Sequence, residues 1–171
     1  MLKPGKTVPA LELPLTIGAQ YDLAKQRPDN FTLVMFYRGS HCPVCRSYLE
    51  QVGSKVETLS EHGINPVAVS MDAQERAMKV DSDWETGDLP LAYAMTEETA
   101  REWGLYISSA REGSDEPEVF SEPGLFLVRP DGTLYMAQVQ SAPFTRPDID
   151  DLIAGIEYAL EQDYPARGTR T

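Results

Sequence analysis

Apolar residues recur along the chain with two different periods. Phe31-Thr32-Leu33-Val34-Met35-Phe36-Tyr37 is a short, nearly continuous apolar run rich in aromatic and branched side chains. Such a run is the pattern of a buried strand in a mostly parallel sheet. After the polar stretch Arg38-Gly39-Ser40-His41 the period changes. Cys45, Leu49, Val52, Val56 and Leu59 recur at steps of four, three, four and three, which puts them on one face of a helix. That helix is expected to begin near Cys42, with Pro43 at the first helical position, where its missing N–H costs nothing. His62-Gly63 reads as its end. Cys45 belongs to the apolar stripe, whereas Cys42 lies at the helix mouth, off that stripe.

Further along, Pro66 to Met71 predicts a strand and Ala73 to Val80 a helix. Thr96 to Trp103 predicts another helix, with Thr96 as N-cap and Gly104 after its end. Gly124 to Val128 and Thr133 to Val139 flank Arg129-Pro130-Asp131-Gly132, and an Asp-Gly turn between two such runs signals a hairpin. The last helix, about Pro147 to Gln162, places Ile149, Leu152, Ile153, Ile156 and Leu160 on one face. Asp148, Asp150 and Asp151 sit in its first turn, where the helix dipole favours negative charge. Ser108 to Glu122 is rich in Ser, Gly, Glu, Asp and Pro and is expected to be a long, mobile loop. Its acidic residues Glu112, Asp115, Glu116 and Glu118 read as solvated loop charges. Trp84, Trp103, Tyr93 and Tyr106 read as packing residues, and His62 as a helix-end residue.

The length of 171 residues, with 42% hydrophobic and 25% charged residues, fits one ordinary α/β domain over residues 1–171. No stretch approaches the roughly 20 consecutive apolar residues that span a bilayer. The start, Met1 to Lys6, has no apolar run, so a cytoplasmic protein is expected, although a processed precursor would begin the same way. A net charge of −12 argues against nucleic acid and against an anionic membrane surface, and reads as solubility.

The two cysteines change the picture most, because they form Cys42-Pro43-Val44-Cys45. A disulfide across so short a loop removes little chain entropy, so redox chemistry explains the spacing better than stability. The reactive form of cysteine is the thiolate, and the unpaired N–H groups of a helix start stabilise it. This assigns Cys42 as nucleophile and Cys45, one turn further in, as the resolving residue. The same spacing could be half a zinc site. A structural zinc site takes four ligands, however, the chain has no third cysteine, and of the two histidines only His41 is adjacent. No metal and no cofactor are expected.

On these residues the chain resembles the AhpC/TSA peroxiredoxin-like branch of the thioredoxin superfamily, from about Pro4 to Tyr164. The resemblance is carried by Pro4-Gly5-Lys6-Thr7-Val8-Pro9-Ala10-Leu11-Glu12-Leu13, by Phe36-Tyr37-Arg38-Gly39 before Cys42, and by Val67 to Asp72. Phe126 to Gly132 and Asp163-Tyr164-Pro165-Ala166-Arg167-Gly168 extend it. It implies a thioredoxin-like α/β fold: a central mixed sheet flanked by helices, with an extended N-terminal segment. Two departures stand out. Where typical members have a Thr or Ser three residues before the reactive Cys, this chain has Gly39, and where they have an Arg before the final hairpin strand, it has Pro123. Arg38 and Ser40 are the residues that could substitute. Pro123 looks instead like the cis-proline that faces the active site of thioredoxins. The slot of the buried Asp of thioredoxins holds Phe36, and the slot of their Trp before the first Cys holds His41. His41 reads either as a group that stabilises the thiolate or moves a proton, or as a solvated loop residue. Arg38 reads either as a cation acting on Cys42 or an acidic substrate, or as a loop charge paired to a surface carboxylate.

Cys42 and Cys45, supported by Arg38, Gly39, Ser40, His41, Pro43 and Pro123, thus form the expected site. The leading expectation is a thiol–disulfide oxidoreductase acting on a protein or small-molecule disulfide. The alternative is a thiol peroxidase, with Cys42 attacking a hydroperoxide and Cys45 closing the disulfide. Either needs a thiol electron donor of thioredoxin or glutathione type, and a homodimer is left open. A third reading is a redox-regulated binding protein in which the Ser108 to Glu122 loop is the switch.

Overall fold

The computed structural model describes residues 2–170; Met1 of the N-terminal reading, and Thr171, lie outside the described residues. The chain opens with a small antiparallel hairpin, β1 (Glu12–Pro14) and β2 (Gln20–Asp22), and a 3-10 turn at Leu23–Lys25. β3 (Phe31–Phe36), α1 (Pro43–Gly53), α2 (Val56–Glu61) and β4 (Ile64–Val69) follow, then α3 (Gln74–Asp83), β5 (Leu91–Ala92) and α4 (Glu97–Glu102). A second hairpin, β6 (Ile107–Ser109) with β7 (Val119–Ser121), leads into β8 (Gly124–Val128), β9 (Leu134–Val139) and α5 (Ile149–Glu161).

Five strands form the central sheet in the order β5-β4-β3-β8-β9. β3, β4 and β5 run parallel, while β8 is antiparallel to both β3 and β9. The period of two along β3 sorts its side chains onto two covered faces. Leu33 and Met35 join Leu125 and Leu127 beneath α1, α2, α3 and α5, with Leu49, Val52, Leu59, Val80, Leu152 and Ile153. Val34 and Phe36 face the other way, where Phe36, Phe126 and Trp103 form a cluster of three rings with centroids 5.0–5.5 Å apart. Both cysteines belong to the first face.

Four expectations need correction. The single helix expected from Cys42 to His62 is two helices, broken at Ser54 and Lys55, directly after Gly53. The backbone of Gly53 packs directly on that of Thr86, where a Cβ would lie 2.4 Å from the Thr86 oxygen. The apolar stripe nevertheless continues, with Leu59 buried and Val56 packed against the same core. Ser108 to Glu122 is not one long loop: its ends pair as β6 and β7, and Glu116 in the connection between them is buried, 8% exposed. Tyr106 is 56% exposed and does not pack as expected, whereas Trp84 and Trp103 do. No peptide bond among the described residues is cis, so Pro123 follows a trans bond as β7 runs on into β8. Its carbonyl accepts the Gln140 N–H at 3.0 Å, next to the β8–β9 ladder.

Candidate active site

The amino end of α1 positions both sulfurs. Cys42 is the N-cap, in extended backbone with φ −104°, and Pro43 occupies the first turn. The Cys42 Sγ accepts the Cys45 N–H at 3.2 Å, the role that a hydroxyl or carboxylate usually plays at a helix cap. The two sulfurs are joined as a disulfide, with the Cα atoms 5.2 Å apart. Cys45 is fully covered, as its place in the apolar stripe implied. Cys42 at the helix mouth is 2% exposed and therefore almost as well covered.

The turn before Cys42 is held from β4. Gly39 has φ 129° and its carbonyl accepts the Cys42 N–H at 3.1 Å, while the Ser40 N–H donates to Asp72 Oδ2 at 2.7 Å. A Cβ on Gly39 would lie 2.5 Å from Asp72 Oδ1, so the carboxyl of Asp72 fills the space that a side chain at position 39 would need. Asp72 is 1% exposed, and its Oδ1 has no partner among the described protein atoms. Burial pushes its pKa up, against the Ser40 N–H and the Arg76 charge, which pull it down.

Arg38 leaves the end of β3 and is drawn into a charge cluster of the β6–β7 hairpin. Its guanidinium stands 4.7 Å over the Phe120 ring and 3.4 Å from both Glu116 and Glu122. Glu116 also accepts from the Arg111 N–H at 2.8 Å and the Arg111 side chain at 3.1 Å, and Glu122 from the Ser108 hydroxyl at 2.7 Å. The Arg111 N–H is the main reason that the Glu116 carboxyl is held below its usual range. Two carboxylates therefore neutralise the cation that sequence reasoning offered to Cys42. His41 packs edge-on to Phe120 at 4.8 Å instead of standing in solvent as a loop residue. Burial and the Arg38 charge lower its pKa, so the imidazole is neutral at pH 7.

One residue of the site carried no signal in the sequence. Arg146, in the connection from β9 to α5, places Nη2 3.4 Å from Cys45 Sγ. Its Nη1 donates to the Pro143 carbonyl at 2.9 Å, and its guanidinium lies 5.1 Å from the centre of the Tyr48 ring. Burial pushes its pKa down to about 10, which still leaves it charged at neutral pH. Only the fold brings it to a cysteine 101 residues away. On the outer side of α1, Pro43, Val44, Tyr48, Pro143, Phe144 and Arg146 line an open groove of about 400 Å³. A larger groove of about 510 Å³ runs between α5 and β9 and includes none of the expected site residues. Among the described residues no three His, Cys, Asp or Glu side chains are grouped to hold a metal ion.

The AhpC/TSA family model matches residues 4–137. Peroxidoxin BcpB from Mycobacterium tuberculosis is structurally similar, with a TM-score of 0.73 and 19% identity over 92% of this chain and 98% of that one. Mycobacterium tuberculosis AhpC gives a TM-score of 0.75 at 14% identity, covering 95% of each chain. Enterococcus faecalis AhpC gives 0.75 at 16% identity, over 95% of this chain and 97% of that one. No curated protein matches the chain by sequence. These likenesses agree with the mixed sheet and flanking helices expected from the sequence.

Proposed function

The chain belongs to the AhpC/TSA family, and from that we propose that this thiol redox enzyme works as a thiol–disulfide oxidoreductase through Cys42 and Cys45. The observation that carries the reading is the Cys42–Cys45 disulfide itself, closed within the first turn of α1 with Cys42 at the cap. In the reduced enzyme the Cys42 thiolate attacks a substrate disulfide, forms a mixed disulfide and releases one substrate thiolate. Cys45 then attacks Cys42 Sγ, the second substrate thiolate leaves, and the pair is oxidised by two electrons. A thiol donor of thioredoxin or glutathione type returns both electrons and restores the dithiol. The short span between the cysteines lets resolution occur without unfolding the helix.

The polar surroundings favour this chemistry over hydroperoxide reduction. Rapid O–O cleavage needs donors aimed at the developing charge. Position 39 has no hydroxyl, position 123 has no cation, Arg38 is neutralised by Glu116 and Glu122, and the remaining cation, Arg146, is hydrogen-bonded to Cys45, the resolving residue of this reading. The family itself favours the alternative, a thiol peroxidase that uses the same two cysteines. Among the described residues no helix is long and apolar enough to cross a membrane. The cytoplasm, where thiol donors are abundant, is the compartment that fits the cycle best.

The deciding experiment compares the reduced protein's rate with a model disulfide and with hydrogen peroxide, in wild type, Cys42→Ser and Cys45→Ser. We expect turnover with the disulfide that Cys42→Ser abolishes, a trapped mixed disulfide in Cys45→Ser, and peroxide oxidation no faster than that of a simple low-pKa thiol. Peroxide oxidation far above that level, lost only in Cys42→Ser, would make the protein a peroxidase.

A further inference from the structure

Burying a guanidinium is unfavourable unless an anion or a full set of acceptors receives it. Arg38 meets that requirement with Glu116 and Glu122. Arg146, half-buried at the edge of the open groove, has no carboxylate partner: its polar partners among the described protein atoms are one backbone carbonyl and one sulfur, and its flat face rests on the neutral Tyr48 ring. Among the described residues it makes no ion pair within 4 Å. In the disulfide the sulfur it touches is a neutral, weak acceptor. The one anion that the reaction creates at this position is the Cys45 thiolate.

We propose that Arg146 is a catalytic residue that holds Cys45 as a thiolate for the resolving step, when Cys42 is tied to substrate. This rests on the assignment of Cys42 as nucleophile. The two sulfurs then have separate sources of stabilisation. Cys42 has the Cys45 N–H and the half-charge of the helix end, and Cys45 has a whole charge in contact at 3.4 Å. Burial of Cys45 works against its ionisation, so the cation is what makes a buried resolving thiol competent. The other charged or titratable groups facing this pair are Tyr48 on α1, Asp148 at the start of α5, Glu122 after β7 and Arg38 after β3. The tyrosine, pushed up to about 12 by burial, is neutral, and the two carboxylates oppose the thiolate. Arg146 is the nearest of these cations to Cys45, and the other, Arg38, is already spoken for by carboxylates.

An uncharged dipyridyl disulfide separates the two steps. Cys42 attacks one of its sulfurs, the S–S bond breaks, and one pyridinethione leaves with the electron pair and takes up a proton. Cys45 then attacks Cys42 and releases the second pyridinethione, so that one disulfide is reduced as the protein's dithiol is oxidised. The two releases are read as two phases of near-ultraviolet absorbance in single-turnover mixing. In Arg146→Met the second phase should slow relative to the first by about tenfold or more near neutral pH, with its pH midpoint raised by about one unit or more. Arg146→Lys, which keeps a charge, should fall between Met and wild type. An unchanged phase ratio and midpoint in Arg146→Met would overturn the proposal, as would equal slowing in both variants with no movement of the midpoint. If Cys42→Ser still gives a fast first phase, the nucleophile assignment is what fails. The role of Arg146 is then judged from the thiolate absorbance of Cys45 in Cys42→Ser with and without Arg146→Met. A midpoint that rises on losing Arg146 supports the pairing, and one that stays overturns it.

Discussion

Asp72 is an acid placed where water barely reaches, and it sets the turn that delivers Cys42. Its Oδ2 receives the Ser40 N–H, its Oδ1 lies against the bare face of Gly39, and its own N–H donates to the Ser70 hydroxyl at 3.3 Å. Arg76 on α3 is the other charged group that acts on it, and the Asp72 charge in turn adds to the burial that raises the pKa of Tyr37, just after β3. Burial raises its pKa above the ordinary carboxylate value, so the native state binds this proton more tightly than the unfolded chain does. The sign follows from linkage: the penalty of the buried charge is full above the raised native pKa and is relieved as pH falls through it. Asp72→Asn has no such term. The stability of wild type relative to Asp72→Asn should therefore increase as pH is lowered from neutral towards about 4, read from paired urea midpoints. A difference independent of pH would mean that Asp72 titrates as an ordinary surface acid. The sequence reveals that Gly39 stands where a hydroxyl residue is typical, yet not why, because the carboxyl that fills the space comes from a different strand end.

At the scale of elements, the connection of α1 to α2 tests whether local propensity or packing governs the chain. In an isolated helix, replacing Gly with Ala gains roughly 1 kcal/mol. Gly53 ends α1 with its α-carbon against the Thr86 backbone, where a methyl group would lie 2.4 Å from the carbonyl oxygen and 2.6 Å from the carbonyl carbon. Backbone cannot swing aside as a flexible side chain can, so Gly53→Ala should destabilise the protein by about 1–3 kcal/mol, the usual range for overpacking. A midpoint in urea equal to or above wild type would show that the loop around Thr86 yields. The legible part of the fold is the part written in local periodicity. The apolar faces of α1 and α5, the β8–β9 hairpin and the Thr96 cap are all where the pattern puts them. The cap is direct, with the Thr96 hydroxyl accepting the Thr99 N–H at 3.1 Å. What escapes the pattern depends on contacts far apart in sequence. The break after Gly53 needs Thr86, the order of β6–β7 needs Arg38 among its carboxylates, and the neighbour of Cys45 needs a chain reversal after β9. The N-terminal hairpin has strands of only three residues, too short for alternation to declare them.

For the whole molecule, the redox site and global stability are linked through one thermodynamic cycle. Cross-linking a loop of four residues removes about 2 kcal/mol of chain entropy from the unfolded state, and reduction gives that entropy back. Were nothing else changed, the oxidised protein would be more stable than the reduced one by this amount. The difference equals the extra work of reducing the disulfide in the folded rather than the unfolded chain, at about 1.4 kcal/mol per 30 mV. Folding of the dithiol form at pH 7 adds interactions that the unfolded thiols, with pKa values near 8.5, do not have. The Cys45 N–H at Cys42 and the Arg146 guanidinium at Cys45, both already against the sulfurs of the disulfide, become charge-assisted when a thiol ionises. They stabilise the reduced native state, so the gap between the two unfolding free energies should be smaller than about 2 kcal/mol in wild type. Arg146→Met removes one of them and should widen the gap, making the folded pair more reducing. Urea unfolding of oxidised and reduced protein, in wild type and variant, measures all four corners of the comparison. A gap at or above about 2 kcal/mol in wild type that Arg146→Met leaves unchanged would mean that Arg146 touches the sulfur without coupling to its charge.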